Sequence, residues 1–374
     1  MIMSKVKAIT SIASADIIGS GISAIFWFYL ATLIEPTRYG EIHYFIGVAT
    51  IASVISLFGT QNTLVVYTAK NVKIQATFYF ISLVVGAISS LAIIIIFYRI
   101  DAAVVLLGYI INTLAISDVL GRKSYNSYSK FILTQKVLTL VLGLGFYFIF
   151  GVDGILYALS LSYVVFVIQI YKGFRNSNIN FSLLKPRIGF IVNNYAIGVI
   201  AGFGGQIDKI IIAPLLGFTI LGNYSLALQI ISVLAIFSSI IFKYLLSHDA
   251  SGNQNKKIRR YTVYFSIGIS FFGMLVLPFV IPYFFPKFIE VVQVIQIMSL
   301  GIIPYTVNML YTSKFLGLEK SKFVLIGAMI SLVTITTGTI FLGIHFGTTG
   351  VAVSYLLAPT FSTIFLTSVD RIVK

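Results

Sequence analysis

Apolar residues run along this chain in blocks of about the length that crosses a bilayer, broken by short polar or glycine-bearing seams. A helix rises 1.5 Å per residue, so about 20 apolar residues suffice for the hydrocarbon core. On that measure the pattern predicts twelve spanning helices, at approximately residues 8–33, 42–67, 76–98, 102–120, 131–150, 152–171, 189–215, 221–246, 261–284, 289–313, 322–344 and 348–369. The seam between spans 5 and 6 is only Gly151, Val152, Asp153 and Gly154, which reads as a tight antiparallel hairpin. Its counterpart between spans 11 and 12 is Phe346, Gly347, Thr348, Thr349 and Gly350. No loop is long enough for a soluble domain. Residues 1–33 read as the first span rather than a cleavable signal, because the apolar run is long, lacks an obvious small-residue cleavage site and leads directly into further spans.

One block departs from the pattern. Span 7 carries Gln206, Asp208 and Lys209 inside an otherwise apolar run, with Pro214 weakening the helix and Gly217 and Gly222 supplying a turn. An ionisable group at the centre of a membrane helix costs roughly 2.5–3.5 kcal/mol on insertion scales, so it is normally given a partner or a task.

Composition agrees with the pattern: 58% of the 374 residues are hydrophobic and 10% charged, with mean hydropathy +0.99. A soluble domain is nearer 25% charged. The chain reads as a polytopic membrane protein. With no cysteine there is no disulfide framework or thiolate metal site, and His43, His248 and His345 are too scattered for a metal site. No cofactor is implied. The net charge of +15 does not point to nucleic acid, because the basic residues flank the hydrophobic spans.

Those basic residues are unevenly placed. Of the 26, 22 fall at the two ends, in the loops after spans 2, 4, 6, 8 and 10 or in the span ends beside those loops, among them Lys70, Lys73, Arg122, Lys123, Lys172, Arg175 and the cluster Lys256, Lys257, Arg259 and Arg260. The alternate loops hold only Arg38, Arg99 and Lys287, and Lys209 lies within a span. Basic residues near spans are retained on the cytoplasmic side, so both termini are expected in the cytoplasm.

The order of features repeats. Gly40 to Phe45 at the start of span 2 corresponds to Gly222 to Ala227 at the start of span 8. Lys130 to Leu133 resembles Lys322 to Leu325, and Phe150, Gly151 and Gly154 resemble Phe346, Gly347 and Gly350. The predicted fold is therefore an all-α integral membrane protein of two six-helix lobes, residues 1–180 and 181–374, related by a pseudo-twofold axis along the membrane normal. Such a pair of lobes suggests a transporter with its substrate between them.

Four stretches carry a family resemblance: Ala31 to Gly40 between the first two spans; Gln206 to Lys209 followed by Leu221 to Ala227; Leu316 to Lys322; and Phe346 to Gly350. Together they resemble the polysaccharide flippases of the multidrug/oligosaccharidyl-lipid/polysaccharide exporter superfamily, over essentially the whole chain. The extra pair of spans found in some relatives is missing. The resemblance implies, as cargo, a polyprenyl-pyrophosphate-linked oligosaccharide of the O-antigen (lipopolysaccharide), capsule or exopolysaccharide kind. It further implies a location in the cytoplasmic (inner) membrane and contact with polysaccharide polymerase machinery.

A lumen for that cargo must be polar and partly cationic, while the prenyl tail remains in lipid. Lys209 is the first candidate cation and Lys136, in span 5, the second. For Lys209 three roles stand: substrate contact, a brace to a carboxylate, or snorkelling to the outer surface. Its neighbour Asp208 diverges from it by about 100° around the helix and need not pair with it. Asp16, in span 1, reads as a proton or cation site, a partner for Lys209, or a hydrogen-bonded structural acid. Asp118 reads as interfacial. Gln206, Gln61, Asn62 and Asn308 are candidate lumen groups, with helix-to-helix hydrogen bonding as the plainer reading, and Tyr195, Tyr305 and Tyr311 are candidate sugar-stacking rings. Prolines gather in the second half, so spans 7, 9 and 10 are expected to kink.

Three function classes remain. A flippase leads. A proton- or sodium-coupled small-molecule antiporter of the same superfamily follows, with Asp16 as its key residue. A membrane enzyme of the same pathway is weakest, because the outward loops are a few residues long and no paired carboxylates have a catalytic placement. The topology makes a direct prediction in this cysteine-free chain. Single cysteines at Asp153 and at Lys257 will react with an impermeant thiol reagent from opposite sides of the membrane, and same-sided labelling refutes the twelve-span reading.

Overall fold

The computed structural model describes residues 2–250, 256–318 and 320–372, and of the side chains at 2–11, 243, 247, 248 and 250 nothing is described. Glu319, in the third of the family stretches, and the His248 side chain thus lie outside the described residues. Among the described residues every regular element is helical. Seven helices are long and apolar enough to cross a membrane, or up to ten if three bent pairs each count as one. The architecture is that of a multi-pass membrane protein.

Two of the seven, Tyr125–Asn176 and Ser321–Ile372, are 52 residues long, more than twice what a crossing needs. Both double back. In the first, Gly151 at φ 69° ends the Tyr125–Phe150 helix, and on the returning arm the Ser162 hydroxyl lies 3.1 Å from both Gln135 and Thr139. In the second, Gly347 turns at φ 57°. A Cβ built on Gly338 would stand 2.8 Å from the Ser354 hydroxyl, and one on Gly327 3.0 Å from that of Ser362. Each pair lies about equally far to either side of residue 346, as an antiparallel hairpin requires. Positive φ is open to glycine and strained for other residues, and that is why the two seams carry it.

By contact the chain falls into two compact units of interleaved sequence. The first comprises Met1–Leu30 and Phe45–Gln206, the second Ala31–Tyr44 and Ile207–Lys374. The three bent pairs are Pro36–Ser56 with Thr60–Ala69 at 49°, Phe181–Gly204 with Ile207–Leu216 at 41°, and Phe218–Leu234 with Ile236–Leu246 at 49°. In the first unit, Phe58 and Gly59 both take positive φ, 47° and 69°. A Cβ on Gly59 would meet the Tyr195 backbone nitrogen at 2.5 Å, so the bend seats the Ile188–Gly204 helix directly on that glycine.

Proline places the bends less well than the sequence suggests. Span 7 breaks at Gly204 to Gln206, while Pro214 remains inside the Ile207–Leu216 helix, three residues before the turn at Gly217. Elsewhere the expectation is met locally. A π-helical turn, Phe272–Val276, stands just before Pro278, and Gly301 separates Val291–Leu300 from Ile302–Gly317 three residues before Pro304.

The second unit is held at its centre by a crossing of the Pro36–Ser56 and Phe218–Leu234 helices. A Cβ on Gly40 would lie 2.0 Å from the Phe218 carbonyl oxygen, and one on Gly222 would lie 1.9 Å from that of Pro36. Beside them the hydroxyls of Thr37 and Thr219 are 2.7 Å apart. In the repeat 36 corresponds to 218, 37 to 219 and 40 to 222, so the two glycine contacts are reciprocal and the two threonines are counterparts. Two helix backbones touch here, which only glycine permits. Alanine at either position must push the helices apart, so Gly40→Ala and Gly222→Ala are each expected to cost about 1–3 kcal/mol or more. Gly21→Ala meets nothing within 4 Å and should be neutral or slightly stabilising, which melting of the purified variants in detergent will measure.

Candidate functional site

The charged cluster of span 7 opens the second unit. Asp208 lies in the first turn of Ile207–Leu216, where its negative charge suits the helix dipole. Its Oδ1 accepts the backbone N–H of Lys209 at 2.8 Å, and its Oδ2 accepts the Tyr224 hydroxyl at 2.6 Å. The Lys209 ammonium stands 3.9 Å from Oδ1, at the outer limit of an ion pair. Asp208 and Lys209 are 7% and 9% exposed, so the charges are sheltered by protein and hold one another. Adjacent residues come together here because the lysine side chain curls back toward the helix start, a direction favoured in helices.

Tyr224 belongs to the next helix, Phe218–Leu234, and is fully buried. Its ring lies 6.4 Å from that of Tyr355. His43, also in the second unit, is buried, lies within electrostatic reach of Lys209 and packs its ring 4.6 Å from Tyr39. The sequence reading missed Tyr224 and His43 as members of the cluster. The signal for Tyr224 was present: Asp208 and Tyr224 lie nine residues before and seven after the Gly217 turn, the spacing that brings two antiparallel arms together.

The first unit holds its own set. Asp16 accepts the Tyr128 hydroxyl at 2.8 Å, joining the first helix to Tyr125–Phe150. Two turns along the same helix, the Lys136 stem packs 3.3 Å from where a Gly19 Cβ would sit. Among the described residues Lys136 forms no ion pair. Gln206 closes this unit at the bend, half-buried. Gln61 and Asn62 are exposed on the surface of the Thr60–Ala69 helix. Asn308 donates to the Ser362 hydroxyl at 2.8 Å, the helix-to-helix bond that is the plainer reading of such a residue.

Other residues have protein partners. Asp118, three residues before its helix ends, is wholly buried, and both its oxygens bond Arg122 at 2.9–3.0 Å while Oδ2 also accepts Gln169 at 2.6 Å. The Tyr195 ring stacks on Phe58 at 5.2 Å, and Tyr305 bonds Ser239, so neither is an idle ring.

No family model and no curated sequence matches the chain. Solved structures do. An inward-facing multidrug resistance MATE family transporter of the MOP superfamily superposes with TM-score 0.74 at 16% identity, covering 98% of both chains. The lipid II flippase MurJ, in an inward closed conformation, gives 0.80 at 11% identity, over 96% of this chain and 87% of that one. A MOP superfamily transporter from Pyrococcus furiosus gives 0.57 at 16% identity, over 98% and 95%. The chain therefore shares the fold of these MOP superfamily structures.

The sheltered cluster makes a stability prediction. Tyr224→Phe deletes a hydrogen bond to a buried charge and is expected to cost about 1.5–3 kcal/mol, read as a lowered melting temperature. Lys209→Met alone leaves Asp208 less compensated and should lower membrane abundance more than Asp208→Asn combined with Lys209→Met does.

Proposed function

We propose that the chain is a flippase that carries a polyprenyl-pyrophosphate-linked oligosaccharide repeat unit, of the O-antigen, capsule or exopolysaccharide kind, from the cytoplasmic to the outer face of the membrane. Behind this stand twelve spans in two six-span lobes, residues 1–180 and 181–374, each lending a segment to the other's compact unit. The two 52-residue hairpins support the count, since dividing each in two raises ten spans to twelve. The asymmetry of basic residues supports cytoplasmic termini in the inner membrane, where polymerase machinery would receive the cargo.

Lys136 is the observation that carries the cargo reading. It is a half-buried cation in an apolar helix, and among the described residues it forms no ion pair. Such a group suits a diphosphate, which brings the negative charge that the described residues do not supply. Lys209, sheltered beside Asp208, serves first as a brace and second as a contact. Gln206, Gln61 and Asn62 are left to meet sugar hydroxyls, while Asn308 holds two helices together.

A second reading, a cation-coupled small-molecule antiporter, has its own observation. Asp16 is a carboxylate in an apolar helix, held by Tyr128, which is an arrangement that can take up and release a proton or cation. The solved structures bear on both readings alike, since they include multidrug transporters and a lipid II flippase.

Export and drug resistance separate the two. Deleting the protein should abolish surface polysaccharide and leave lipid-linked repeat units on the cytoplasmic face, with drug sensitivity unchanged. Complementation with Lys136→Arg should restore export in part, whereas Lys136→Ala and Lys136→Glu, at normal membrane abundance, should lower it about tenfold or more. Normal polysaccharide with increased drug sensitivity, and loss of efflux in Asp16→Asn, replaces the flippase with the antiporter.

A further inference from the structure

One cavity in the first unit is lined by none of the residues of the two charged clusters. It has a volume of about 600 Å³, within the range of small-molecule sites. Its walls come from the loop after Thr60–Ala69, the loop after Ile100–Gly121 and the end of Val167–Asn176, and they carry Lys73, Arg122, Lys123, Asn71, Gln75 and Asn176. Three cations and three amides converge, with no acid on the lining.

The loops are built rather than loose. Asn71 and Lys123 both take positive φ, 57° and 58°. Gly121 abuts the Thr60–Ala69 helix so closely that a Cβ would stand 2.6 Å from Thr68. Gln75 is 6% exposed and donates to the Thr68 hydroxyl.

Arg122 is fixed in a way that a surface arginine is not. Its Nε is held by both oxygens of the buried Asp118, and Gln169 holds that carboxylate from behind. Its two terminal nitrogens bond nothing else among the described residues. The plain alternative is that these cations serve the carbonyls at the helix ends. Those carbonyls are already occupied: Lys70 donates to Val66, Val72 to Tyr67, Arg122 to Asp118 and Ser124 to Val119 through their backbone N–H groups.

We propose that this cavity is a binding site for a phosphate-bearing group, gripped by the terminal nitrogens of Arg122 and by Lys73 and Lys123. The planar fork of an arginine held at Nε presents two parallel donors to an oxyanion, and the lysines add compact charge on either side. The lining is mainly polar, so it suits a headgroup or a free phosphate and not an acyl chain. The site is independent of what the transporter carries.

The test uses full-length protein in neutral detergent, titrated with inorganic pyrophosphate and read as a rise in melting temperature. The same protein is then compared in nanodiscs of phosphatidylcholine with and without phosphatidylglycerol. Lys73→Gln with Lys123→Gln removes two cavity charges and leaves the Arg122–Asp118 pair intact. Lys172→Gln with Arg175→Gln removes the same charge from exposed positions outside the cavity. Saturable stabilisation by pyrophosphate that weakens about tenfold or more in the cavity pair only supports a site open to free phosphate groups. Stabilisation by phosphatidylglycerol alone, lost in the cavity pair only, supports a lipid headgroup. No stabilisation by either, or equal loss in both pairs, overturns the site.

Discussion

Two helix backbones touch at Gly40 and Gly222, and much of the second unit depends on that contact. A side chain at either position would overlap a carbonyl oxygen of the facing helix. The contact recruits a segment from early in the sequence, residues 31–44, into a unit otherwise built from residues 207–374. It brings with it His43 and Tyr39, and it places Lys287 3.1 Å from Glu35 near the end of the crossing. Without hydrophobic drive between helices in lipid, such close packing and the hydrogen bonds beside it are what hold membrane helices together.

Charge inside the protein follows the same economy. Three buried acids are met by a donor on another helix: Asp208 by Tyr224, Asp118 by Gln169, Asp249 by Ser313 and Arg259. The two halves even use one position alike with opposite sign. Asp118 and Lys314 each lie three residues before the glycine that ends their helix, Gly121 and Gly317. Asp118 reaches Gln169 in the Val167–Asn176 helix, and Lys314 reaches Asp370 near the end of Ser321–Ile372. A polar staple at that place is retained while its charge is inverted.

How much of this was legible in the sequence depends on the scale of the interaction. The apolar blocks, the seams at Gly151 and Gly347 and the repeat that pairs Gly40 with Gly222 were all readable, because each is set by composition or by a local backbone need. The bend in span 7 was misplaced at Pro214, since a proline near a helix end costs little while three small or flexible residues at 204–206 yield more easily. The burial of Asp118 was not legible, because it involves Gln169, 51 residues away. Gln61 and Asn62 were singled out by polarity alone; that they stand exposed just after the bend at Phe58 and Gly59 is a matter of backbone path that residue type does not announce.

The pairing of Thr37 with Thr219 and of Gly40 with Gly222 has a consequence for how such a chain can change. Where a residue faces its own counterpart in the repeat, two like residues can meet only as self-compatible groups: hydroxyls, which both donate and accept, and glycines, which occupy no space. A charge would confront its like. Positions bonded to residues other than their counterparts carry no such restriction: Asp118, on Gln169, and Lys314, on Asp370, differ in sign, while Thr37 and Thr219, hydroxyl against hydroxyl, are the same residue.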